Sequence, residues 1–120
     1  MKLTKLIPKV FYEDINVGLN LFVKGMGFTI VYQETEPGQK FYILAHDSLR
    51  IYLVEDEEFA KKDRPEIRIE TDDIEAFYKE VKNNNIKLLH PNLAQIKSQP
   101  WGLKEFALRD ESDVCIIVQQ

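Results

Sequence analysis

The tripeptides Glu13-Asp14-Ile15 and Asp72-Asp73-Ile74 decide the fold, because each opens the same pattern about half a chain length apart. In both copies an apolar run precedes the tripeptide, and an amphipathic segment follows it. A break rich in Gly or Asn then leads into strand-like sequence. Two copies are too few for a solenoid, and the period is too long for one. The sequence therefore predicts two similar modules that pack together and enclose a shared concavity.

The first module is predicted to span residues 1–55 in the order β-α-β-β-β. Asp14 should cap its helix, because an aspartate side chain can accept the backbone N–H groups that a first helical turn leaves free. The helix presents one apolar face, which contains Ile15, Leu19, Phe22 and Met26. Strands are predicted at 6–12, 28–33, 40–46 and 49–55, from their β-branched and aromatic residues.

The second module is predicted to span residues 66–120 and to repeat that order. Asp73 should cap its helix, and strands are predicted at 66–70, 86–90, 103–109 and 114–119. The connector 56–65 is highly charged and shows neither a strand nor a turn pattern, so it is interpreted as a linker. The predicted fold class is therefore α+β, with curved mixed sheets in one domain of residues 1–120.

Composition narrows the choice of partners. The chain has 120 residues, 44% of them hydrophobic, and a formal net charge of −4, which gives no basic surface for nucleic acid. No apolar run approaches the roughly 20 residues of a membrane span, so no membrane partner is expected. Cys115 is the single cysteine, which excludes an internal disulfide and favours a cytoplasmic location.

The segment Pro100-Trp101-Gly102-Leu103-Lys104-Glu105-Phe106-Ala107-Leu108-Arg109-Asp110 resembles a signature of bleomycin-resistance-type proteins. The stretch from Asp14-Ile15 to Gly27-Phe28 is similar to the first helix of the same group. Nearly the whole chain resembles the vicinal oxygen chelate superfamily, which contains glyoxalases, extradiol dioxygenases and bleomycin-resistance proteins. The chain departs from the family at Asp110-Glu111-Ser112-Asp113-Val114, where the usual turn contains Pro and Gly.

The resemblance implies where a metal would be bound, since chelating members take two ligands from each module. The matching positions in this chain are Ile7, Glu66, Ile117 and either Tyr52 or Val54. Isoleucine has no electron pair to donate, and one glutamate does not make a metal site. No metal and no other cofactor is therefore expected.

The resemblance also implies which residues line the cavity, because alternate residues of the first strands should point inward. The predicted ligand-binding residues are Ile7, Lys9, Phe11, Phe41, Tyr52, Glu66, Arg68, Trp101 at the rim, and Ile117. The alternative for Phe11, Phe41, Tyr52 and Phe106 is that they are ordinary core residues. An aromatic wall with a few charges suits a flat ligand that is partly cationic or zwitterionic.

Three functions are compatible with the sequence. The leading hypothesis is a metal-free small-molecule-binding protein that resembles bleomycin-resistance proteins and acts by sequestration. The alternative is a lyase or isomerase of the glyoxalase superfamily in which Glu66 acts as a general base, which requires an apolar environment around that carboxylate. The third is an interaction role through an exposed sheet. The resemblance further implies a homodimer with clefts between the subunits.

Overall fold

Two four-stranded mixed sheets, one from each module, make up the strands of this protein. The computed structural model describes residues 1–120. The first sheet contains β1 (Lys9–Tyr12), β2 (Thr29–Glu34), β3 (Phe41–His46) and β4 (Leu49–Glu55), in the order β1-β4-β3-β2. The second contains β5 (Glu66–Glu70), β6 (Lys97–Ser98), β7 (Lys104–Arg109) and β8 (Cys115–Gln119), in the order β5-β8-β7-β6. In each sheet the first and last strands of the module pair in parallel, which confirms the α+β fold with two β-α-β-β-β modules.

Both module helices begin at the aspartates that the sequence indicated. Asp14 Oδ1 accepts a hydrogen bond of 3.0 Å from the N–H of Asn16, where α1 (Ile15–Leu19) starts. Asp73 Oδ1 accepts one of 3.0 Å from Ala76 at the start of α3 (Ile74–Asn85). Helix α1 continues as a π-helical turn, Asn20–Gly25, and α3 continues as a short 3₁₀ turn, Ile86–Leu88. None of the helices has the length and apolar character needed to cross a bilayer.

One hydrophobic core joins the two modules. The buried residues of both sheets and of the helices form a single cluster, which includes Val10 and Leu53 of the first sheet, Phe106 and Ile116 of the second, and Phe22 and Val81 of the helices. The π-helical turn after α1 packs against α3. Glycine at position 25 of that turn also leaves room for the side chain of Leu88, which lies in the 3₁₀ turn after α3. Each sheet therefore turns one face toward the shared core and the other face away from it. The expectation that the two modules of one chain enclose a concavity is wrong. The space between them is filled by the core, in which the helices bury their apolar surfaces against each other.

A buried hydrogen bond connects the two modules beside this core. The hydroxyl group of Tyr12 donates to Asp110 Oδ2 over 2.6 Å, and both residues are buried. Burial and the neighbouring carboxylate raise the pKa of the Tyr12 phenol above its usual value, so the hydroxyl keeps its proton and remains the donor. Burial also raises the pKa of Asp110, against the opposing effect of its hydrogen-bond donors. Arg64 lies over the Tyr12 ring at 5.9 Å and donates to the carbonyl oxygens of Phe11 and Ser112.

Asp110 also makes the turn between β7 and β8, where the sequence has neither Pro nor Gly. Its Oδ1 accepts hydrogen bonds from the N–H groups of Ser112 at 2.8 Å and Val114 at 3.0 Å. Asp113 adopts a positive φ of 63°, a conformation that aspartate tolerates better than most residues. A carboxylate thus replaces the local chemistry of Pro and Gly between β7 and β8.

The connector 56–65 contains a helix, α2 (Glu57–Lys62), which the sequence interpretation missed. Asp56 caps it by accepting from the N–H of Phe59 over 3.0 Å. Ala60 is buried, and the ring of Phe59 stacks on Phe11 with centroids 5.0 Å apart. Charged residues dominate this segment, so the pattern did not indicate the two apolar side chains that hold the helix against β1.

The strand predicted at 86–90 is also wrong. Asn85 caps the 3₁₀ turn there by accepting from the N–H of Lys87 over 3.1 Å, and Leu89 forms a single bridge with Leu108. The outer strand of the second sheet is instead the two-residue β6. A side-chain cap and the packing of Leu88 against Gly25 therefore outweigh the β-propensity of this segment.

We predict that Tyr12→Phe lowers the free energy of unfolding by about 1–3 kcal/mol, because it leaves one buried oxygen of Asp110 without its donor. Tyr42→Phe is the matched control, since Tyr42 packs against the same core and its hydroxyl makes no hydrogen bond within the chain. Urea unfolding of both variants at neutral pH measures the difference. Equal losses in the two variants would contradict a role for the Tyr12–Asp110 bond.

Candidate functional site

The face of the first sheet that is turned away from the core carries side chains that alternate with the core residues, and Phe59 of α2 stacks on Phe11 at one end of it. Val10, Ile51 and Leu53 point into the core, and strand alternation places their neighbours on the opposite face. The exposed or half-buried residues of that face are Lys9, Phe11, Tyr32, Phe41, Ile43, Arg50, Tyr52 and Val54. Lys9, Phe11, Phe41 and Tyr52, four of the residues predicted from the sequence, therefore share one surface.

Four aromatic rings cover this face, and we call Phe11, Tyr32, Phe41 and Tyr52 the aromatic wall. The ring centroids of Tyr32 and Phe41 are 6.0 Å apart, and those of Phe41 and Tyr52 are 5.4 Å apart with planes at 74°. Val54 pairs with both Phe11 and Phe41 across the strands and fills the space between them. The wall offers ring faces and edges to a flat apolar molecule.

Tyr32 belongs to the wall although sequence reasoning did not include it. A β-bulge between Ile30 and Tyr32 shifts the register of β2 against β3, so that Tyr32 pairs with Ile43. Its hydroxyl donates to Glu34 Oε1 over 2.8 Å, and this bond raises the pKa of the phenol. A bulge inserts one residue into a strand and exchanges its faces, and strand alternation alone does not reveal it.

A groove lies where the starts of β4 and β5 meet, and we call it the edge groove. Its volume is about 520 Å³, within the usual range for small-molecule sites. It is lined by Leu6, Ile7, Pro8, Leu49, Arg50, Ile51 and residues 66–69. Ile7, Glu66 and Arg68, three of the residues predicted from the sequence, are therefore brought together here. Arg50 contributes both to this groove and to the face that carries the aromatic wall.

Arg68 is committed to neighbours on the second sheet. Its Nη1 donates to Glu105 Oε1 over 2.8 Å and to Gln119 Oε1 over 3.3 Å. Glu105 is only 3% exposed and also accepts from Gln99 over 3.3 Å. A buried carboxylate needs such partners to remain charged, so this network holds Arg68 in place through Nη1, and Glu105 already balances its charge.

The remaining predicted residues are not on the wall. Ile117 pairs with Arg68 on the second sheet, on the face turned away from the core, and is 8% exposed. Trp101 lies in the loop between β6 and β7, is 62% exposed and makes no ring contact with the wall. Phe106 is fully buried, so the core alternative was correct for that residue. The nine predicted residues are thus distributed over the face with the wall, the edge groove, the second sheet and, for Trp101, the β6–β7 loop.

The side chains at the metal positions implied by the resemblance do not fit a divalent cation. Ile7, Tyr52, Glu66 and Ile117 provide one carboxylate, one phenol and two hydrocarbons, whereas such ions take several nitrogen or oxygen ligands. No group of three or more His, Cys, Asp or Glu side chains converges closely enough to hold a metal ion. We therefore assign no chemistry to a metal in this site.

A second cavity, of about 660 Å³, lies beside α1 and the β7–β8 turn. Its lining is mainly polar and includes Asn20, Lys87, Arg109, Glu111 and Asp113. The chain has no buried side-chain polar atom without a hydrogen-bond partner, so no such atom points to a ligand in this cavity. The aromatic wall with the edge groove is the better candidate, because it combines apolar surface with a few charges.

Comparisons with known proteins give matches only at the level of structure. No protein-family model matches the chain, and no curated protein matches its sequence. A bleomycin-binding protein solved in complex with bleomycin superposes with a TM-score of 0.77 and 19% identity, over 98% of both chains. The bleomycin-binding protein of Streptomyces verticillus, solved with copper(II)-bleomycin, gives 0.74 and 18% over 98% of this chain and 96% of that one. A glyoxalase family protein from Enterococcus faecalis gives 0.70 and 11% over 99% and 97%.

These similarities extend over nearly the full length of both partners in each pair. They agree with the pairing of two β-α-β-β-β modules described above. The chain therefore has the fold shared by bleomycin-binding proteins and glyoxalase family proteins.

Proposed function

We propose that this protein binds an aromatic small molecule on the aromatic wall and sequesters it, without a metal or other cofactor. The observation that carries the proposal is the row of contacting, half-exposed rings Tyr32, Phe41 and Tyr52 on a face that the core does not use. Stacked aromatic contacts contribute about 0.5–1.5 kcal/mol beyond the burial of their area. Bleomycin-binding proteins with the same fold support the proposal.

Sequestration explains the residues of the wall better than catalysis does. A general acid or base must lie within hydrogen-bond reach of the reacting group, and its pKa must be tuned by its surroundings. Glu66, the one candidate base, is exposed at the start of β5 and lacks the apolar enclosure that this role requires. The lyase or isomerase alternative therefore has no specific observation in its favour, whereas trapping a guest needs only affinity.

The proposal includes a homodimer in the cytoplasm. The outward face of the first sheet would form one side of a cleft, and a second copy placed over it would exclude water from a bound small molecule. The edge strand β2 supports this association, because Ile30, Val31 and Tyr32 are 43%, 53% and 48% exposed. Unpaired, apolar edge strands are unusual in isolated monomers. The single cysteine, Cys115, suits a reducing compartment.

Binding to the wall is tested with Tyr52→Leu, which removes the ring but keeps an apolar side chain. We expect calorimetric titration with 2-naphthol, a neutral planar probe, to show about tenfold weaker binding to the variant than to the wild type, because ring contacts are lost. Bleomycin is titrated in parallel as the ligand of the structural relatives. Trp101→Leu is the matched control, since it removes an exposed aromatic ring outside the wall. Wild-type affinity of Tyr52→Leu for every bound ligand would overturn the proposal.

The oligomeric state is tested separately by sedimentation equilibrium. We predict a species of twice the chain mass of 14.1 kDa at micromolar concentrations. Val31→Lys should shift the equilibrium toward the monomer, because it places a charge on the exposed edge of β2. The dimer would be excluded if the wild-type protein remains at the mass of one chain at about 100 µM.

A further inference from the structure

We infer that the guest of the aromatic wall is an organic anion, an aromatic carboxylate whose acid group is held between Lys9 and Arg50. The inference rests on the proposed binding function and names the charge class of its ligand. It reverses the sign of the ligand charge that the sequence analysis favoured, and the placement of charges around Tyr52 is the reason.

Two cationic residues are backbone neighbours of Tyr52 on its face of the sheet. Lys9 on β1 is the direct partner of Tyr52 across the parallel β1–β4 pair, so their Cα atoms are about 4.8 Å apart. Arg50 precedes Tyr52 by two residues on the same strand, and residues so spaced lie on the same face, about 6.6 Å apart. An acid group attached to a ring that packs on Tyr52 would therefore have a cation on each of two sides.

Neither cation is neutralised within the chain. Lys9 and Arg50 take part in none of its ion pairs. The side chain of Arg50 makes one hydrogen bond, in which Nη1 donates to the carbonyl oxygen of the adjacent Leu49 over 3.1 Å. A guanidinium group has five N–H donors, so most of its capacity is free. Arg68, by contrast, is held by Glu105 and Gln119.

The nearby acids are placed where they do not cancel this charge. Glu34 lies at the opposite end of the wall, beside Phe41, and accepts a hydrogen bond from the hydroxyl group of Tyr32. Glu55 points to the helix side, where Oε2 accepts from the N–H of Ile15 and Oε1 lies 3.9 Å from Lys40. Glu66 is on the second sheet, across the edge groove. A cationic guest on Tyr52 would therefore meet two like charges, which is unfavourable.

The edge groove defines the rest of the ligand. Arg50 lines it together with apolar side chains such as Leu6, Ile7 and Leu49. A carboxylate bound at Arg50 can therefore direct an apolar substituent into a space of about 520 Å³ while its ring remains on Tyr52. A fork-shaped guanidinium binds a carboxylate through two parallel hydrogen bonds, which makes Arg50 the stronger of the two anchors.

The test compares two probes that share a ring system and differ in charge, 2-naphthoate and 2-naphthylmethylammonium, by calorimetric titration of the full chain in 0.15 M salt. Wild-type protein should bind the carboxylate at least about tenfold more tightly. Arg50→Gln should lose about tenfold in affinity for the carboxylate and nothing for the ammonium probe, whereas Arg50→Lys should lose less than Arg50→Gln. Lys79→Gln is the control, because it removes the same charge from an exposed position on α3.

Each outcome decides the inference. Equal or tighter binding of the ammonium probe overturns it and leaves the proposed binding function standing. Equal losses in Arg50→Gln and Lys79→Gln overturn it as well, because they would show a general effect of net charge. Binding of neither probe, together with unchanged behaviour of Tyr52→Leu toward 2-naphthol, overturns both the inference and the proposed function.

Discussion

The hydrogen bond from Tyr12 to Asp110 ties the first strand of one module to the last turn of the other, beside the core on which both depend. Both residues have further partners: Asp110 accepts three hydrogen bonds in all, and Arg64 lies over the Tyr12 ring. A buried carboxylate with fewer partners would be strongly destabilising. The bond lies where the modules meet, and the helices and the apolar faces of both sheets are directed inward around it. The outward face of the first sheet is therefore left for another purpose at Tyr32, Phe41 and Tyr52.

That geometry accounts for the composition of the first sheet. Aromatic residues on a free face contribute little to the stability of the core, yet Tyr32, Phe41 and Tyr52 form a contacting row there. The positions at which chelating members of the superfamily are expected to hold a metal carry two isoleucines in this chain. An apolar surface with Lys9 and Arg50 as neighbours of Tyr52 is suited to holding a small molecule.

The sequence predicted the features that depend on local chemistry. Asp14 and Asp73 could be recognised as caps, and alternation in β1 and β5 correctly grouped Lys9 with Phe11 and Glu66 with Arg68. Features set by distant contacts were missed. Tyr32 reaches the wall through a bulge defined by pairing with β3, and α2 is held by Phe59 on Phe11. The direction in which each sheet faces depends on helix packing between modules, which a single module's pattern does not encode.

The most direct measurement of the central claim is a ¹H–¹³C NMR titration that follows both the aromatic and the methyl groups of the protein as 2-naphthoate is added. The account predicts ring-current shifts for Tyr52 and Phe41, while Phe106, buried in the shared core, stays unchanged. Shifts confined to residues of the polar cavity, such as Val17 and Leu89, with Tyr52 unaffected, would contradict it.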